Sequence, residues 1–115
     1  MRVGIVGSRK FTNYQEFLAF LQHLDADITH VVSGGATGAD TLAYRYAKST
    51  AIPITTWFPN WDMYGKAAGM IRNKLIVDDC ELVIAFPGPN SIGTRGTISL
   101  AVQRGIPVHT KEVKV

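Results

Sequence analysis

At 115 residues, 46% apolar and 18% charged, the chain is sized for one domain, residues 1–115, with a single sheet flanked by helices. Its net charge of +3 is too mild to mark a nucleic-acid binder by itself, and no apolar run approaches the ~20 residues of a membrane span. The apolar start Met1–Val6 stops at Gly7-Ser8-Arg9-Lys10, too early for a secretory signal, so a cytoplasmic location is expected.

Arg2–Val6 is a short apolar run and reads as the first strand, ended by Gly7-Ser8. Asn13-x-x-Glu16 starts a helix in the manner of a capping box, with Phe17, Leu18, Leu21 and Leu24 as its apolar stripe. Thr29–Ser33 is the second strand, stopped by Gly34-Gly35, and a helix follows through Leu42, Ala43, Tyr46 and Ala47. Pro53–Phe58 reads as the third strand and Asn60–Gly65 as loop. A helix from about Ala67 to Asp78 then points Ile71 and Leu75 inward. Leu82–Phe86 is apolar throughout, as a central parallel strand should be. Pro87–Gly96 reads as a Gly/Pro/Asn loop, Thr97–Arg104 as the last helix and Ile106–Thr110 as the fifth strand. Five strand–helix alternations predict an α/β, Rossmann-like domain. Its open five-stranded sheet is mainly parallel in order 3-2-1-4-5, with helices on both faces.

The single cysteine, Cys80, excludes an internal disulfide and an all-cysteine metal site. The carboxylates of Asp78, Asp79 and Glu81 beside it oppose a thiolate. His23, His30 and His109 lack the spacing of a metal pair, so structural roles are expected for them and no metal site or cofactor for the chain.

In an open parallel sheet, ligands bind outside the carboxyl ends of the strands. Three such ends carry small residues: Gly7-Ser8-Arg9, Gly34-Gly35-Ala36-Thr37-Gly38-Ala39-Asp40, and Pro87-Gly88 through Gly93-Thr94-Arg95-Gly96-Thr97. Loops of this kind let backbone N–H groups approach a phosphate, and a helix that follows one adds its positive end. Asp40 opens the second helix. It either caps that helix or offers a carboxylate to ribose or to chemistry. Arg9, Lys10, Lys66, Arg72, Lys74 and Arg95 fall in or beside loops that follow strands, which suits a phosphate-bearing ligand or an ordinary solvated surface. Gly69 and Asn73 weaken the helix around Arg72, hinting at a local purpose there. Trp57, Phe58, Trp61 and Tyr64 cluster after the third strand as packing or as a surface for a base. No P-loop occurs, and Gly7-Ser8-Arg9-Lys10 is not G-x-G-x-x-G, which excludes a P-loop NTPase and argues against a dehydrogenase.

Four motifs, in order, resemble the SLOG superfamily, the Rossmann-like group containing DprA/Smf and LOG proteins. They are Val6-Gly7-Ser8-Arg9, Ser33-Gly34-Gly35-Ala36-x-Gly38-Ala39-Asp40, Ala68-Gly69-x-x-Arg72-Asn73, and Ala85-Phe86-Pro87-Gly88 with its Gly-Thr steps. Within the superfamily the chain is most similar to the short stand-alone YspA-like branch. The resemblance implies a nucleotide or nucleotide-derived ligand at the strand ends. In LOG enzymes, which release a base from a nucleoside monophosphate, an arginine and a glutamate act, and Arg72 resembles that arginine. At the glutamate's place stands Thr97 or Leu100, and Pro87-Gly88-Pro89 breaks the P-G-G pattern. The first expectation is therefore nucleotide binding without efficient catalysis. Its expected contacts are Gly7, Ser8, Arg9, Gly34, Gly35, Gly38, Asp40, Arg72, Asn73, Pro87, Gly88, Gly93, Thr94, Arg95, Gly96 and Thr97. The alternatives are an N-glycosidic hydrolase with Arg72 and Asp40 as candidate catalytic residues, and DprA-like binding of single-stranded DNA. No membrane partner is expected, and homo-oligomerisation is left open.

Overall fold

A computed structural model describes residues 1–115 and shows why the apolar runs end up where they do. Strand β1 (Arg2–Gly7) is followed by α1 (Tyr14–Leu24), β2 (His30–Ser33), α2 (Ala39–Ser49) and β3 (Ile54–Thr56). Helices α3 (Trp61–Tyr64) and α4 (Ala68–Asp78), joined by a 3-10 turn, lead to β4 (Leu82–Phe86), α5 (Ile92–Gln103) and β5 (Val108–Thr110). The five strands form one sheet, all parallel, in order β3-β2-β1-β4-β5. Strand β1 lies at the centre, paired with β2 from Arg2↔His30 and with β4 from Val3↔Leu82.

Both central strands are covered on both faces, and their side chains alternate between two cores. Val3 and Ile5 of β1, with Leu82, Ile84 and Phe86 of β4, face Phe17 and Leu21 of α1 and Leu42, Ala43 and Ala47 of α2. Val6, Val83 and Ala85 face Ile76 and Val77 of α4 and Ala101 of α5. The rings of Phe11 and Phe17 stack on Phe86 with centroids 5.1 Å apart, anchoring the carboxyl end of β4 just below the loops that follow.

Four expectations about local structure are corrected. Strand β3 is only Ile54–Thr56, not Pro53–Phe58, because it pairs with just Val31, Val32 and Ser33 of the short β2. The segment read as loop contains α3, whose first turn is capped by Asn60 Oδ1 accepting from Met63 N at 3.0 Å; four residues are too few to show a period. In α4 it is Ala68, Ile76 and Val77 that are buried, while Leu75 is 39% exposed and Ile71 only half-buried. Helix α5 begins at Ile92 rather than Thr97, so Gly93 and Gly96 are helical residues and the loop is just residues 87–91. No helix is long and apolar enough to cross a membrane.

Candidate functional site

In this strand order the chain runs outward from β1 to β3 and then returns to the other side of β1 as β4. The loops after β1 and β4 therefore leave toward opposite faces and open a crevice between them. A cleft of about 380 Å³ occupies that crevice, within the ~300–1,000 Å³ usual for small-molecule sites. Gly7, Ser8, Arg9 and Lys10 after β1 line one side. Gly88, Pro89, Asn90 and Ser91, the first turns of α5, and Val115 line the other. Arg72, Asn73 and Ile76 of α4 complete it, with Ala36 and Asp40 from the β2–α2 loop.

Asp40 and Arg72 are held by the backbone of that loop. Asp40 Oδ2 accepts from Ala36 N at 2.9 Å, closing the turn that leads into α2. Arg72 donates through one terminal nitrogen to the carbonyl of Gly34, and through Nε to Asn73 Oδ1 at 2.9 Å. Asn73 Nδ2 reaches Gly93 O at 3.5 Å, a marginal contact that ties α4 to the head of α5. The sequence pairing Arg72-Asn73 thus has a mechanical meaning: the asparagine orients the arginine.

Burial pushes the Asp40 carboxyl above the ordinary carboxylate range. The Ala36 N–H, then Arg72, the Ser33 hydroxyl and Arg9 each pull the other way. Ser33 Oγ is buried (the residue is 1% exposed) without a hydrogen bond of normal geometry, although its hydroxyl is close enough to favour the charged form of Asp40. Burial likewise depresses the Arg72 pKa, opposed by the Asp40 charge. Because the folded-state pKa of Asp40 is raised, the folded protein binds more protons than the unfolded chain between the ordinary and the raised value. Stability therefore falls as pH rises through that window. Replacing Asp40 by asparagine keeps an acceptor for Ala36 N and should abolish this fall. Melting temperatures of the two proteins should converge at the acid end and favour the variant above it. A variant less stable at every pH would show that the charge itself holds the loop.

The head of α5 is open to an anion. Ser91 Oγ accepts from Gly88 N at 2.8 Å and gives no cap to the helix behind it. The N–H groups of Gly93 and Thr94 have no acceptor within the protein, so the positive end of the helix faces the cleft unpaired. Thr97 is 1% exposed and its hydroxyl donates to Gly93 O at 3.1 Å, which commits it to the helix. Ser8 Oγ accepts from Lys10 N at 3.1 Å. Among the lining side chains, Arg9, Lys10 and Arg72 stand against the one carboxylate of Asp40, a positive balance.

Of the residues expected from sequence, Gly7, Ser8, Arg9, Asp40, Arg72, Asn73, Gly88, Gly93, Thr94 and Thr97 line this one cleft. Gly34, Gly35, Gly38, Pro87, Arg95 and Gly96 do not line it. Gly34 supports Arg72, Gly35 lies under the exposed Phe58 ring, and Gly38 packs against the backbone of Ser8 and Arg9. Pro87 O accepts from Val113 N at 3.0 Å, fastening the C-terminal segment, and Gly96 sits on the outer side of α5 with open space around it. Arg95 turns to Glu112 at 3.1 Å and to Gly88 O at 3.0 Å. Lys66 and Lys74 also lie away from the lining. Sequence reasoning did not select Ile76, Pro89, Asn90, Ser91, Ile92 or Val115. The signal for Ser91 was its place before an apolar residue and a Gly-Thr step, the pattern of a helix N-cap. Val115 had no local signal. Among side chains that could ligate a metal, no three His, Cys, Asp or Glu come together.

A family model described as "YspA, cpYpsA-related SLOG family" matches residues 1–64, which carry β1, α1, β2, α2, β3 and α3. The Gene 61 protein of Mycobacterium phage D29 is 35% identical over 116 aligned positions, covering 93% of each chain. Among solved structures, the fold is similar to DNA processing protein A from Helicobacter pylori, whose structure is described as showing a single-stranded DNA binding mode. The TM-score is 0.68 at 21% identity, over 96% of this chain. The chain spans 64% of the length of that protein.

Proposed function

The chain belongs to the YspA, cpYpsA-related SLOG family, and from that premise we propose that it binds a nucleotide or nucleotide-derived small molecule in the cleft between the ends of β1 and β4. The observation that carries this reading is the convergence of Arg9, Lys10 and Arg72 with the unpaired N–H groups at the head of α5. A phosphate is the group that satisfies all of them at once. In this reading Asp40, held by the N–H of Ala36, accepts from ribose hydroxyls. Isothermal titration with AMP, GMP, CMP, UMP and ADP-ribose tests the proposal. One-to-one binding that inorganic phosphate competes away supports it, and the absence of binding by every member at millimolar concentration refutes it.

Efficient cleavage of the base is not part of this reading. Loss of an N-glycosidic base builds positive charge on the ribose, which a carboxylate stabilises. Thr97 is buried and committed to Gly93 O, Leu100 packs against the core under α5, and the sole side-chain carboxylate lining the cleft is Asp40. Base release from AMP, followed by chromatography, is expected to stay at background. Robust release abolished in Asp40→Asn would promote the hydrolase instead.

A second reading, binding of single-stranded DNA, draws on the single-stranded DNA binding mode of DNA processing protein A and on the exposed Arg9, Lys10, Phe58 and Trp61. The two readings differ in salt dependence. A bound single strand loses affinity with a log–log slope of about −0.7 per neutralised phosphate, so several phosphates give a steep slope where a mononucleotide gives a shallow one. A fluorescent oligo-dT that binds far more tightly than any mononucleotide, with a steep slope, would favour the DNA reading.

A further inference from the structure

The cleft carries a second kind of surface that phosphate and ribose leave unused. Ile92 is 85% exposed, the most exposed large apolar side chain in the protein, and it lines the cleft together with Pro89 and Val115. Single exposed apolar residues are ordinary, but these three stand exposed together, whereas Val6 and Ile76 on the cleft floor are buried in the core. All three belong to one wall. Pro89 lies in the short β4–α5 loop and Ile92 follows it as the first residue of α5, and Val115 is brought to the same place because Val113 N donates to Pro87 O and the Val115 side chain lies close to Gly88.

That wall adjoins the proposed phosphate position. Ile92 immediately precedes Gly93, whose N–H is unpaired, and Gly93 O is reached by Asn73, the residue that orients Arg72. A molecule anchored by its phosphate between Arg72 and the head of α5 would therefore run along Ile92. We propose that Pro89, Ile92 and Val115 form the seat for the flat face of a nucleobase, so that the ligand is a nucleotide with its base attached rather than a phosphosugar or free phosphate. This rests on the reading of the cleft as a nucleotide site. It goes beyond that reading by locating the base and assigning selectivity to a residue that makes no polar contact.

The test compares ribose 5-phosphate with AMP, GMP, CMP and UMP by isothermal titration, for the wild type and for Ile92→Ser. A side chain this exposed can be changed without disturbing the core, which a thermal melt of the variant checks. The wild type should bind its best nucleotide at least about tenfold more tightly than ribose 5-phosphate. Ile92→Ser should erase most of that preference while leaving the affinity for ribose 5-phosphate unchanged. Equal wild-type affinity for nucleotide and phosphosugar would overturn the seat and leave the phosphate site standing. So would a variant that keeps its full preference, or one that changes only the state of association because Ile92 contacts a second copy of the chain. If neither class of ligand binds the wild type, the phosphate site itself falls and takes the seat with it.

Discussion

Replacing Gly38 by alanine is expected to lower the free energy of unfolding by about 3 kcal/mol, a large share of the ~5–15 kcal/mol of a domain this size. Gly38 sits at φ 73°, ψ −124°, a region that side chains avoid, and a Cβ there would fall onto the carbonyl groups of Ser8 and Arg9. Those groups cannot retreat freely: Ser8 O accepts from Ala39 N at 3.1 Å and from Phe11 N at 3.2 Å, and Ser8 N donates to Phe86 O at 2.9 Å. The same contact brings the β1–α1 loop beside Asp40, so the damage reaches both sides of the cleft. With a urea m-value of about 2 kcal/mol/M, the denaturation midpoint should drop by roughly 1.5 M. Gly105→Ala serves as a control, since Gly105 has φ 70° with nothing near its would-be Cβ. It should cost only about 1 kcal/mol, the backbone penalty alone. Equal losses for the two variants would mean that the packing of α2 on the Ser8 loop contributes nothing.

Why the fold was legible in the sequence, and the cleft only partly so, follows from the range of the interactions involved. Val3–Val6 and Leu82–Phe86 are buried on both faces, and that burial writes itself into the chain as two uninterrupted apolar runs, which placed β1 and β4 at the centre. Gly93 and Gly96 were misleading because glycine is the usual mark of a loop. In the folded protein tertiary contacts of Thr94, Thr97 and Ala101 carry the helix through them. The stripe on α4 failed for a similar reason. That helix is buried at its first residue, Ala68, and near its C-terminal end, at Ile76 and Val77, while its middle presents Arg72 and Asn73 to the cleft, so no single apolar face runs its length. Arg95 looked like Arg72 in sequence, as a cation beside glycines. Only the position of Glu112, brought back along the edge of the sheet by β5, separates a cation engaged in an ion pair from one that lines the cleft.

Replacing Arg72 by alanine should weaken nucleotide binding about 100-fold, the upper part of the ~1.5–3 kcal/mol associated with a charged hydrogen-bonding partner. Of the five N–H donors of its guanidinium, one goes to Gly34 O and one to Asn73 Oδ1, which leaves three for a ligand while the first two fix the plane of the group. Lysine carries the same charge but cannot hold both anchors and still present a fork, so Arg72→Lys should recover only part of the loss, falling about tenfold below wild type. The substitution also acts on Asp40. Arg72 is the foremost charge lowering the pKa of that buried carboxyl, so its removal should push the Asp40 pKa still higher, and the pH above which the carboxylate is fully ionised should rise. Binding of AMP measured against pH separates the two effects: lost phosphate contacts weaken binding at every pH, whereas the shifted titration of Asp40 moves the midpoint of the profile. Asn73→Ala should reproduce a fraction of the loss, because it frees Arg72 Nε without removing the charge. If Arg72→Ala melts like the wild type and binds AMP as tightly, the cationic cleft is not where the phosphate lies.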